Sequence, residues 1–269
     1  MSSLLITNLV YRKGIKMKII IAPAKIMKID RDSFPVQSKP EFLTKTRILE
    51  HFLKSRTKEQ LDTLWHASQK VTEQSILQLK NMDLDDRLTP AILAFSGIQY
   101  QYMAPDIFTQ PALDYIQKNL RILSGFYGIL RPFDGVCPYR LELNTKMIGF
   151  RDYSLYHFWV DDIANSLFKE DDTVINLASK QYMRLIKPYL NEKRRMITID
   201  FQELKNGEWK TVGVHAKMAR GEMVRFMAEN QIKNPADLRD FHDFEFQFEP
   251  EVSSDDHYIF RTAFDFSQR

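Results

Sequence analysis

Lys18–Lys25 reads KIIIAPAK. Three successive isoleucines form a β-branched run, and an unbroken apolar run is what a strand covered on both faces requires. Pro23 ends the run, so the stretch reads as a buried strand followed by a loop that carries Lys25. Thr173–Leu177 (TVINL), Met196–Phe201 and Thr211–His215 have the same β-branched character. Between these strands lie helical patterns. Glu41–Ser55 places Phe42, Ile48, Leu49, Phe52 and Leu53 on one stripe, Thr57 caps a helix through KEQLDTLW, and Val71–Leu79 makes a third. Tyr156–Phe168 and Ala219–Asn230 are helical as well, and Phe244–Phe248 and Tyr258–Phe264 alternate apolar with polar, as late edge strands do. The chain shows no internal repeat, low-complexity tract or linker. The expected fold is mixed α/β, a central sheet flanked by helices, in a single domain over residues 17–269.

Three of the expected strands end alike, in Ala22-Pro23-Ala24-Lys25, in Ala178-Ser179-Lys180 and in Ala216-Lys217-Met218-Ala219-Arg220. If they are neighbours, their carboxyl ends bring Lys25, Asn176, Ser179, Lys217 and Arg220 to the rim where open α/β sheets bind ligands. Lys217 and Arg220 read as first-turn residues of a helix, where each cation opposes the macrodipole at about 0.3–1 kcal/mol unless an anion is bound. Flexible stems that carry both charges into water are the alternative. Ser179 reads equally as a ligand contact or an N-cap.

A second anion-binding candidate is Arg121–Glu142, RILSGFYGILRPFDGVCPYRLE. Gly125 and Gly128 would let backbone amides meet a ligand, with positive φ expected at Gly125, and Arg121, Arg131 and Arg140 supply planar charged forks. An ordinary glycine turn ended by Pro132 and flanked by surface arginines has the same composition.

The 269 residues, 44% hydrophobic and 27% charged, are those of a globular protein that buries roughly 70–75% of its extended surface. No apolar run reaches the roughly 20 residues of a membrane span, so a cytoplasmic protein is expected. A lone cysteine, Cys137, fits a reducing compartment. Net charge is only +3, but it is unevenly spread. Ten Lys or Arg face four acids between Lys180 and Arg220, Lys187 among them, whereas Asp240–Asp256 holds seven acids and no Lys or Arg. Glycine-rich nucleotide loops, zinc signatures, GxSxG and paired CxxC motifs are absent. The six histidines have no metal-ligand spacing, so neither a metal nor another cofactor is expected. Cys137, among arginines that could lower its pKa, is a weak candidate for peroxide chemistry without a resolving partner.

Taken together, KIIIAPAK, Leu120–Glu142 (LRILSGFYGILRPFDGVCPYRLE), Tyr156–Asp161 (YHFWVD), Val174–Ser179 (VINLAS) and Ala216–Gly221 (AKMARG) resemble the YaaA family of bacterial peroxide-stress proteins, in the family's order from Met17 onward. The resemblance implies resistance to hydrogen peroxide, limitation of free intracellular iron, DNA binding, a positively charged cleft and a helix-hairpin-helix element. It implies cleft positions for Lys25, Arg121, Arg131, Arg140, Lys217 and Arg220, and a hairpin at Leu123–Gly128 that includes Ser124, Gly125 and Gly128. Two residues separate those glycines, where such a hairpin usually has one. Residues 1–16, MSSLLITNLVYRKGIK, lie outside the resemblance and read as an extension ahead of Met17. The expected function is sequence-independent binding of DNA phosphates during oxidative stress, with Asn176, Ser179 and Lys187 as further anion contacts and no assigned catalytic residue. The alternative is an enzyme acting on a small anion, a nucleotide or carboxylate, in the same cleft.

Overall fold

Burial of two isoleucine- and valine-rich strands organises the molecule. The computed structural model describes residues 17–150, 153–169 and 171–268; the extension expected over residues 1–16 lies outside them. Met17–Ile21 and Thr173–Leu177 are buried at every position. They pair in parallel, Ile21 opposite Leu177, at the centre of an eight-stranded sheet. On one side the first strand pairs in parallel with Leu120–Ser124, which turns back antiparallel into Gly128–Leu130. On the other side the order continues through Arg195–Lys205, His257–Thr262 and Gln247–Phe248, the last pairing antiparallel. Glu208–Lys210 folds back onto Arg195–Lys205. The architecture is therefore mixed α/β around a mostly parallel sheet, with one continuous apolar core.

Helices cover the sheet where the patterns place them. Leu43–Lys54, Lys58–Trp65 and Gln69–Lys80 match the first three expected helices, and Thr57 forms a full capping box with Gln60. Gln110–Asn119 packs on the first strand and on Leu120–Ser124.

Four local expectations need correction. Thr211–His215 is not a strand, because the helix starts at Gly213 and runs to Glu229. Lys217 and Arg220 thus lie beyond the first turn, and the macrodipole argument does not apply to them. Tyr156–Phe168 is two short helices, Leu155–Phe158 and Asp162–Leu167, since the chain turns at Trp159 to bury its indole. Within Phe244–Phe248 only Gln247–Phe248 is extended, and His257–Thr262 lies inside the sheet rather than at its edge.

The glycine block is a β-hairpin, with strands rather than helices on both sides of its turn. Gly128 has φ +76°, whereas Gly125 does not lie in the left-handed region. Gly125 is needed for a different reason. A Cβ there would stand 2.7 Å from the Leu141 carbonyl oxygen and 2.9 Å from the Leu143 nitrogen, so this glycine lets the 141–143 backbone lie flat against the turn.

Candidate functional site

The chain leaves the central strand at Ala22 and the neighbouring strand at Ala178, and between these carboxyl ends opens a cleft of about 470 Å³. This is where a sheet whose strand order diverges to both sides leaves room for a ligand. Its walls come from separated segments: Ala22–Ile26, Ser96–Tyr100, Tyr139–Glu142, Ser179–Tyr182 without Lys180, and the Gly213–Glu229 helix.

Local packing sets each wall. The Tyr100 hydroxyl donates to the Ala22 carbonyl (2.9 Å), tying the Ile98–Met103 helix to the loop after the first strand. The Tyr139 and Ser124 hydroxyls share a 2.7 Å hydrogen bond, and the stacked Phe126 and Tyr139 rings, with centroids 5.0 Å apart, fix the segment that presents Arg140 and Glu142. Across the cleft, Gly221 lets the Gly213–Glu229 helix meet the backbone at Gln99, which sets Arg220 beside the Ile98–Met103 helix. Tyr100, Tyr139 and Tyr182 are all buried and line the cleft with aromatic surface. Burial pushes the Tyr182 phenol well above its ordinary value, so it stays neutral.

The cleft is lined by Lys25, Arg140, Lys217 and Arg220 and by one carboxylate, Glu142, which pairs with Lys25 at 2.8 Å. Two buried donors here have no protein partner, Gln99 Nε2 and Arg220 Nε. Burial also draws the Arg220 guanidinium below its ordinary pKa, opposed by the charge of Asp200. A buried donor without an acceptor costs about 1–3 kcal/mol, so two that line one cavity suit a ligand rich in acceptors.

Of the residues singled out in the sequence, Lys25, Arg140, Ser179, Lys217 and Arg220 line this cleft. The others serve the fold or lie elsewhere. Arg121 donates to the carbonyls of Gln117 and Leu120, and Arg131 pairs with buried Asp134 at 3.0 Å while donating to the Lys39 carbonyl. Asn176 accepts from the Ala178 nitrogen and donates to the Thr198 hydroxyl. Lys187 is exposed on a turn outside the cleft lining. Gly125 and Gly128 are buried, and the Ser124 hydroxyl accepts from the nitrogens of Phe126 and Tyr127. The turn amides at 126 and 127 are therefore bonded internally and not turned toward an anion. Ser179 stands at the N-cap of Lys180–Met183 without a side-chain cap bond.

Cys137 is buried, with its sulfur 3.3 Å from the Tyr127 hydroxyl. Burial raises its thiol pKa to about 11, against the reactive-thiolate possibility. No group of three or more potential metal ligands occurs among the described residues, and no helix among them is long and apolar enough to cross a membrane.

Gln99, Tyr100, Tyr182 and Glu142 had no role in the sequence reading. The one signal for the first two is Gly97, the residue before the Ile98–Met103 helix, where the chain reaches the cleft.

The family model described as "Peroxide stress protein YaaA" matches residues 17–252. A UPF0246 protein of Lactobacillus acidophilus is 87% identical over 252 residues, covering 94% of this chain and 100% of its own length. A UPF0246 protein of Lactobacillus helveticus is 86% identical over the same span and coverage. One of Agathobacter rectalis is 46% identical over 244 residues, 91% of this chain and 98% of its own.

Proposed function

This chain belongs to the YaaA family of peroxide stress proteins, and from that premise we propose that it acts in the peroxide response by binding DNA through phosphates at this cleft, without reading base sequence. The supporting observation is the convergence of Lys25, Arg140, Lys217 and Arg220 on one cavity against a single carboxylate. Like charges gathered by folding repel one another unless an anion offsets them, and guanidinium forks match phosphate oxygens in pairs. Contacts to phosphate carry no base information, so binding is indifferent to sequence. On this reading the protein limits iron-linked peroxide damage at the DNA itself.

Charge reversal tests it. Lys217→Glu and Arg140→Glu each weaken binding to unrelated duplex sequences by a similar factor, and because Lys217 is exposed its reversal leaves stability close to parental. Parental affinity in both variants overturns the reading.

The concavity of the site and its two unpartnered buried donors favour a second reading, an enzyme or binding protein for a small anion such as a nucleotide or carboxylate. Thermal protection by such an anion, lost in Lys217→Glu, together with no DNA binding, selects it.

A further inference from the structure

The geometry points to a single-nucleotide pocket inside the DNA-binding cleft: one unpaired nucleotide leaves the stack, sets its base against the tyrosine-lined interior and its phosphate toward Arg220. This rests on the DNA reading above but goes beyond it, because phosphate binding alone needs only a charged surface. A duplex presents its phosphates on a convex backbone that can lie only across the mouth, whereas the cavity of about 470 Å³ behind it has the size of a single nucleotide. It falls within the roughly 300–1,000 Å³ of pockets that enclose a small ligand.

The chemistry inside is graded from mouth to interior. Lys217 is exposed and Lys25 has a side chain 68% exposed, so both suit backbone phosphates that pass the mouth. Gln99 is only 7% exposed and its Nε2 has no protein partner. A carboxamide offers a donor and an acceptor side by side, the pattern that pairs with the edge of a nucleobase. Arg220 Nε, also buried and without a protein partner, supplies a charged donor for the attached phosphate. Tyr100, Tyr139 and Tyr182 provide apolar ring surface, and a base placed on an aromatic ring gains about 1–3 kcal/mol whatever its identity. An unpaired or mismatched nucleotide enters at the least cost, since its stacking is already weakened.

The same chemistry could come from a free mononucleotide, so the test separates the sources. Affinity is measured for a fully paired duplex and for the same duplex with one unpaired adenine, and thermal protection is measured with dAMP and with inorganic phosphate. The inference expects the unpaired site to bind about tenfold tighter, as one satisfied charged or buried hydrogen bond implies, and dAMP to protect better than phosphate. In Gln99→Leu the ratio between the two duplexes falls toward one, whereas Lys217→Glu weakens both duplexes and keeps the ratio. Protection by dAMP with no binding of either duplex upholds the pocket with a free nucleotide as occupant and overturns the DNA reading. Equal affinity for both duplexes, salt-dependent and without dAMP protection, overturns the pocket and leaves the DNA reading standing. A Gln99→Leu protein that is folded, with the parental ratio, also overturns it.

Discussion

A Cβ on Gly221 would stand 2.3 Å from the carbonyl oxygen of Gln99, so the helices that carry Arg220 and Gln99 meet backbone to backbone. No side chain fits between them. The helices that carry the two unpartnered donors of the cleft are held together by an absence of atoms, which makes residue 221 a lever on the site.

Gly221→Ala therefore destabilises the fold by about 1–3 kcal/mol, the usual cost of overpacking against a rigid neighbour. The sign is diagnostic, because the same change in an exposed helix interior stabilises by about 1 kcal/mol. Denaturant midpoints measure it, and DNA affinity of the folded variant falls as the helices part.

Salt dependence tests the phosphate contacts. Engagement of about four phosphates gives a log–log slope near −3.6 and roughly a hundredfold loss of affinity between 50 and 200 mM salt. Titrations at four salt concentrations suffice, and Lys217→Glu lowers the slope by about one.

Arg131→Ala distinguishes structural from ligand-binding arginines. Asp134 is 1% exposed and takes its charged partner from Arg131, so the substitution costs about 1–3 kcal/mol of stability. DNA affinity and its salt slope stay parental in the folded protein. Arg140→Ala behaves the opposite way, with weakened binding and a small change in denaturant midpoint.

Cys137 predicts a pH effect. Its thiol rises from an ordinary 9.0 to about 11 in the folded protein, so between those values the folded state keeps a proton that the unfolded chain has lost. The stabilising contribution is whole below pH 9 and is lost as pH rises toward 11. The stability difference between the parent and Cys137→Ala accordingly shrinks across that interval. At pH 8 a thiol reagent modifies the native protein far more slowly than the unfolded one.

The central strands were legible because continuous Ile and Val runs leave few alternatives, and Thr57 marked a helix start through a hydrogen bond made by its own side chain. The Gly213–Glu229 helix hid its beginning. Its N-cap, Val212, makes no side-chain cap bond, and the β-branched TVGV preceding His215 resembles a strand. His215 is held in the helix by contacts remote in sequence, the Glu203 carboxylate and the Phe266 ring stacked at 3.9 Å. The glycine block misled for a related reason. Sequence marks where a Cβ is missing but not whether φ or a neighbouring backbone demands it, and at Gly125 the demand comes from Leu141 and Leu143. Of the cleft, the cations were visible as types, but Gln99 and Tyr182, on helices far apart in sequence, come to one cavity only through the tertiary fold.

The first strand pairs with Leu120–Ser124 on one side and with Thr173–Leu177 on the other. It is made before either of them. At ordinary synthesis rates, roughly ten to thirty seconds pass between translation of Met17 and translation of its partner Thr173. Throughout that interval the Ile19-Ile20-Ile21 run waits without the second of its two sheet neighbours. Recovery of folded protein from cells is therefore expected to fall when chaperones that shield nascent chains are removed.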